Sequence, residues 1–252
     1  MLLVIERDVK RFLRYRFLLI MRALWFIVQI ALFGLIASRM VVIENYFQYY
    51  AAGVSIIILY STAMFVSYDI YEEAEHGVID YLLSLPLSRR ELVLGRSVAS
   101  GIRSFMYVGP LMAIVLFLIG VTNPLNLAIA LFSLFIFSFG VSGFAITLAV
   151  AIKSEDRFDI LMGVLDALIV RLSTTLYPKT FIQQANTFYG LTSNFNPLTF
   201  ASDLFRWGAG IEKYLTFSNP LIPIMAIIIF SSFFALIGIV VYEKRLEGGG
   251  WQ

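Results

Sequence analysis

Two ionisable side chains, Asp166 and Arg171, interrupt the apolar stretch from about Phe158 to Tyr177. A helix rises about 1.5 Å per residue, which places Asp166 about 12 Å into a span that begins at residue 158. That depth is near the middle of a bilayer, where a charged group facing lipid costs several kcal/mol. Asp166 is therefore expected to face other helices or a wet cavity, either as part of a transport path or contact with a second subunit, or in an interhelical salt bridge. Arg171, five residues on, lies about 140° around the helix, so the two do not make a same-face pair. Other chemistry is sparse. His76 is the single histidine and cysteine is absent, so no His/Cys metal site, disulfide or thiol nucleophile is expected. Asp166, Arg171 and Arg103 form no acid-base or nucleophile constellation. No G-x-x-x-x-G-K-[ST] phosphate loop occurs in the chain, so it is read as lacking its own ATPase site, and not as an enzyme.

The elements that must hold these residues are hydrophobic helices. Of 252 residues, 60% are hydrophobic and 14% charged. This balance calls for lipid as solvent. The net charge of +2 is spread along the chain, which gives no support to nucleic-acid binding. A bilayer core of roughly 30 Å needs about 20 apolar helical residues per crossing. Runs that meet this are expected at 20–38, 46–68, 101–121, 125–152, 158–177 and 220–242. Arg22 is expected to snorkel beside the first, and Thr122-Asn123-Pro124 separates the third from the fourth. The fold class is thus all-α, a single polytopic membrane domain over 1–252 with six spans. Fourteen of the 19 Lys and Arg residues fall at one set of alternating ends, which predicts cytoplasmic N and C termini in a plasma-membrane protein. The N-terminus lacks the features of a cleaved signal peptide, and the tail from Leu246 to Gln252 reads as unstructured.

Three segments lie between or beside the spans. Over residues 1–19, Ile5, Val9, Phe12 and Leu13 share one helical stripe flanked by Arg7, Lys10, Arg11 and Arg14. This pattern suits a helix lying in the membrane interface, or a basic anchor that sets topology. The cytoplasmic segment 69–100 begins acidic, with Glu72 and Glu73, and continues through Gly77, Asp80 and an apolar patch of Ile79, Leu82 and Leu83. Pro86 must end or bend that short helix, and Ser88 with Glu91 makes a capping box for the next. Such a helix either docks into a groove on a soluble partner or dips its leucines into the lipid interface. After the fifth span, segment 178–219 contains Asn196, a fair N-cap, followed by Pro197 at the first helical position. Phe200, Phe205 and Trp207 there suit an interfacial aromatic belt, so this segment is expected along the outer face, or dipping in and returning. Gly140 and Gly143 read as helix-packing positions, Arg103 as a snorkelling anchor, and Arg39 with Glu44 as outer-loop charge.

The amphipathic leading helix, the run from Glu72-Glu73 through Gly77, Asp80, Leu82, Leu83, Pro86, Arg89 and Arg90, and Asn196-Pro197-Leu198-Thr199 leading to Arg206 together resemble the type-2 ABC exporter permease family. The resemblance runs through essentially the whole chain. It implies that the acidic-Gly-to-Arg run is a cytoplasmic coupling helix and that the Asn-Pro-Leu-Thr segment belongs to outer helices before the last span. It also implies a second permease, identical or paralogous, and a cytosolic ATP-binding subunit that carries the ATP and magnesium, so that no cofactor is expected on this chain. The expected job is outward translocation of a substrate that the residues do not identify. Asp166 and Arg171 depart from the family's more apolar fifth span. An ion-coupled secondary transporter using Asp166 is the alternative, although neither repeated halves nor paired helix breaks are found.

Overall fold

The computed structural model describes residues 2–14, 16–41 and 44–245, apart from the side chains of residues 16, 18, 19, 22 and 25. The expected snorkelling of Arg22 and the unstructured tail from Leu246 to Gln252 lie outside that description. No strand occurs among the described residues, and the chain is all-α. Twelve α-helices are described: α1 (Leu2–Arg14), α2 (Arg16–Met40), α3 (Tyr46–Met64), α4 (Val66–Glu75), α5 (Val78–Ser84), α6 (Arg89–Ile119), α7 (Pro124–Ile152), α8 (Glu155–Leu165), α9 (Lys179–Ala185), α10 (Thr187–Thr192), α11 (Pro197–Ala209) and α12 (Leu221–Arg245). A π-helical turn, Asp166–Val170, continues α8.

Among the described residues, four helical rods are long and apolar enough to cross a membrane: Tyr46–Glu75, Arg89–Ile119, Pro124–Ile152 and Leu221–Arg245. A shorter apolar stretch, Phe26–Met40, belongs to α2. The rod made by α3 and α4 is the centre of the bundle. It has no charge before Asp69 and is apolar on every side, so it can be enclosed by neighbours, and Ala52, Ile56, Leu59 and Ala63 have no exposed surface. Around the outside, Phe33 of α2 and Ile229 and Leu236 of α12 expose large apolar side chains, the surface a lipid-facing helix should present.

Local signals divide the rods. Asn123 caps α7 by accepting from the backbone N–H groups of Leu125 and Asn126 at 3.0 and 3.3 Å, with Pro124 in the first turn. Ser88 and Glu91 form the reciprocal capping box that starts α6. Helix α6 then runs without interruption from Arg89, so the last part of the segment 69–100 is already the base of a rod. Close approach between α7 and α12 rests on small residues. A Cβ added at Gly140 would lie 2.4 Å from the hydroxyl oxygen of Ser231, and one at Gly143 would lie 2.9 Å from the Phe234 carbonyl.

Candidate functional site

The short helix α5 projects from the end of the bundle that the basic residues assign to the cytoplasm. His76 ends α4, and Gly77 turns the chain at a φ of +67°, which favours glycine. Seven residues of helix then follow before extended Leu85. Ile79 and Leu82, three residues apart, are buried against the chain's own core, whereas Asp80, Ser84 and Pro86 are exposed and Tyr81 is 63% exposed. Leu82 was expected on the docking surface and is instead an anchor. The i, i+3 stripe that holds so short a helix in place cannot also face a partner. Leu83 is half-buried, and Tyr81, which sequence reasoning passed over, leads the free face.

The charged residues of the expected coupling run, read as the rim of its docking surface, also divide. Glu72 is exposed, but Glu73 is only 4% exposed. Its carboxylate accepts hydrogen bonds from Arg7 at 2.9 Å, from Arg11 at 3.3 Å and from the fully buried Arg96. Arg11 also pairs with Glu72 at 2.5 Å. Adjacent helical residues point about 100° apart, so once α1 lies along α6 and reaches α4 through Arg7 and Arg11 one glutamate is enclosed and its neighbour remains outside. The basic flank of α1 is therefore turned onto the acidic end of α4, and Glu73 is a clamp rather than a rim residue. Arg89 donates to the Glu243 backbone carbonyl and Arg90 to the Glu243 carboxylate, each at 2.5 Å, which ties the base of α6 to the last turn of α12. Arg103 is not a snorkelling anchor. It is nearly buried and pairs with Asp69 at 2.6 Å.

The second constellation surrounds a break in the stretch 158–177. Helix α8 passes into the π-helical turn at Asp166, and regular helix stops at Arg171, leaving the backbone of 172–178 irregular. Irregular backbone at such a position must find partners inside the protein, and α11 with its leading loop supplies them. The Asn196 amide donates to the Ile169 carbonyl at 2.7 Å while its oxygen caps α11 by accepting from Leu198 N–H at 2.9 Å. Thr199 accepts from Thr174 N–H at 3.1 Å. Arg206, with no exposed surface, donates to the carbonyls of Thr174 at 3.0 Å, Thr175 at 2.6 Å and Tyr49 at 3.2 Å. Its guanidinium lies 3.5 Å from the Tyr49 ring centroid, and the Tyr49 hydroxyl donates to the Thr174 carbonyl at 2.5 Å. Gly53 makes room for this approach, since a Cβ there would sit 1.8 Å from the Thr175 oxygen.

These contacts distinguish the two positions expected for the outer segment. Helix α11 does not lie along the outer face but fits the other expected course, dipping in, and is inserted among α3, α7 and α12, with Leu198, Ala201, Leu204 and Phe205 fully enclosed. Phe205 is thus core rather than aromatic belt, and Phe200 and Trp207 are half-buried. Asp203 is buried as well, 3.7 Å from Arg206, and accepts from the backbone N–H groups of Thr216 and Phe217 at 2.7 and 3.0 Å. Pro197 begins α11, as placed from sequence. The roles of Tyr49, Gly53, Thr174, Thr175 and Asp203 were missed. The polar run Ser173-Thr174-Thr175 at the end of an apolar stretch was the available signal.

Asp166 and Arg171 are both exposed, and no ion pair joins them among the described residues. Asp166 shares an open face of α8 with Asp159, Gly163 and Ala167, while Phe158 on the opposite face is enclosed by Tyr68 and Tyr71. At the far end of the bundle Glu44 pairs with Lys213. The Lys213 hydrogen bond and charge hold the Glu44 carboxyl below its ordinary value, and the hydrogen bond and charge of Glu44 hold the Lys213 ammonium above its own. No group of three or more His, Cys, Asp or Glu residues that could hold a metal occurs among the described residues.

Comparison with known proteins is consistent with this arrangement. The family model for the ABC-2 type transporter matches residues 1–210. The putative transport permease ycf38 of Cyanophora paradoxa is 27% identical over 235 residues, which cover 89% of this chain and 79% of that protein.

Proposed function

The chain belongs to the ABC-2 type transporter family and is a membrane transport permease, and from that premise we propose that it is the permease half-subunit of an ATP-driven exporter. The reading has six spans, with α2 and the α8 rod added to the four long ones and both termini in the cytoplasm of a plasma-membrane protein. A cytosolic ATP-binding subunit docks on α5, and a second permease, identical or paralogous, completes the pathway. ATP and magnesium belong to the docked subunit. The observation that carries this reading is the mounting of α5. Its free face of Asp80, Tyr81, Ser84 and Pro86 is open, while Ile79 and Leu82 are buried on its other side and α5 packs on α4, whose Glu73 clamp ties that helix to α1 and α6. A partner that pushes on such a knob moves the rods behind it, because packed cores shift as units rather than deform. It does work on the permease only by binding one arrangement of those rods better than another.

The test is affinity purification of the full-length chain from its native membranes. A stoichiometric P-loop ATPase is expected, and Tyr81→Asp is expected to reduce its recovery by about tenfold or more, as for a central interface aromatic, at unchanged thermal stability. Recovery of no ATPase, or full retention by the Tyr81→Asp chain, refutes the docking role. The exposed Asp166 favours a second reading, an ion-coupled secondary transporter. Substrate movement driven by an ion gradient with no ATPase present would establish that alternative.

A further inference from the structure

At the end of the bundle opposite α5, a cavity of about 340 Å³ opens between the corner joining α2 to α3, the turn joining α6 to α7 and the chain that follows α11. This lies at the small end of ligand-pocket volumes. Its walls are made by unusual backbone. Asn45 (φ 57°), Gly120 (φ 81°), Gly210 (φ 84°) and Tyr214 (φ 70°) all line it with positive φ. For a bulky residue such as Tyr214 this conformation is costly, and such strain gathers at binding sites. The Tyr214 ring stands edge-on to Tyr49 with centroids 6.3 Å apart.

Within this cavity a cation is already held. The Lys213 ammonium meets the Glu44 carboxylate and lies 5.7 Å from the centroid of the Tyr214 ring. A carboxylate beside an aromatic ring is a recognition pair for an ammonium ion. Lys213 is a weak occupant, because its side chain is 57% exposed and that of Glu44 is 67% exposed, and an exposed pair of flexible side chains is readily exchanged. Glu212 also lines the cavity, so with Lys213 swung into solvent two carboxylates remain to receive a cation.

We propose that this cavity binds a small organic ammonium ion, which displaces Lys213 from Glu44 and Tyr214. The Lys213 side chain is the internal stand-in for that ligand and competes with it. The site lies apart from α5, and its occupancy does not depend on which energy source drives the permease.

n-Butylammonium, the analogue of the lysine side chain, is the probe, with n-butanol as its uncharged control. Calorimetric titration of the purified full-length chain should show saturable binding of the ammonium and none of the alcohol. Lys213→Gln removes the competitor and should tighten binding by about twofold to fivefold, the range that an exposed ion pair commands. Glu44→Gln should weaken binding by about twofold to fivefold. All these side chains are exposed, so thermal stability should be unchanged and serves as the folding control. Equal binding of butanol, no binding to either wild type or Lys213→Gln, or identical affinities in the two chains each overturn the proposal.

Discussion

Replacing Arg206 by methionine keeps a long apolar stem but removes every hydrogen bond that its guanidinium makes. In the wild type that group serves the carbonyls of Thr174, Thr175 and Tyr49 and lies 3.7 Å from Asp203. The Tyr49 carbonyl belongs to a helix, and Thr174 keeps the Tyr49 hydroxyl as donor. The loss therefore concentrates on the Thr175 carbonyl and on Asp203. An orphaned buried acceptor costs about 1–3 kcal/mol, and a buried charge stripped of its partner about 3–5 kcal/mol. Taking the lower end of the sum, about 4 kcal/mol, and roughly 2–4 °C per kcal/mol for a chain of this size, Tm should fall by roughly 8–16 °C. Size-exclusion thermal-shift measurements on detergent-purified protein read this directly. Asp203→Asn in the same background should recover part of the loss, because the two changes share one network. A Tm within about 1 °C of wild type for Arg206→Met, or strict additivity with Asp203→Asn, refutes the view that α11 exists to satisfy the broken backbone between Ile169 and Thr175.

Three further outcomes are expected. Glu73→Gln leaves Arg7, Arg11 and Arg96 without their shared carboxylate, and should destabilise the protein by about 3–5 kcal/mol, with increased hydrogen exchange confined to α1 and the end of α4; wild-type exchange in α1 would show that the clamp is dispensable. Gly53→Ala places a methyl where the Thr175 oxygen sits and should lower Tm at least as much as an overpacked core residue, about 1–3 kcal/mol, whereas Gly163→Ala, where nothing lies within 4 Å, should be neutral; equal effects at both positions would contradict the close approach. Asp166→Asn should fold and assemble normally because the side chain is exposed and makes no ion pair among the described residues, yet reduce transport by tenfold or more if this face lines the path, an effect of about 1.4 kcal/mol; unaltered transport removes Asp166 from the path.

Lipid-seeking helices, their caps and several of their ends were legible in the sequence because they depend on neighbours a few residues away. Charge-free runs mark the rods, while the Ser88–Glu91 capping box, the Asn123–Pro124 turn and the Asn196–Pro197 start can each be recognised within four residues. The absence of a phosphate loop is likewise a property of the chain alone. Which face a residue presents depended on segments far along the chain. Glu72 and Glu73 are chemically identical neighbours, and only the docking of α1 makes one a clamp and leaves the other in solvent. Leu82 and Tyr81 divide α5 between anchor and free face for the same reason. Arg206 carried a motif in the sequence, but its partners are carbonyls 31 and 32 residues earlier and in α3, exposed for bonding because the preceding helix stops. Hydropathy and capping act through contiguous backbone, so sequence reports them. Buried charges and broken backbone must find whatever donor or acceptor the packing brings near, and tertiary structure decides which one that is.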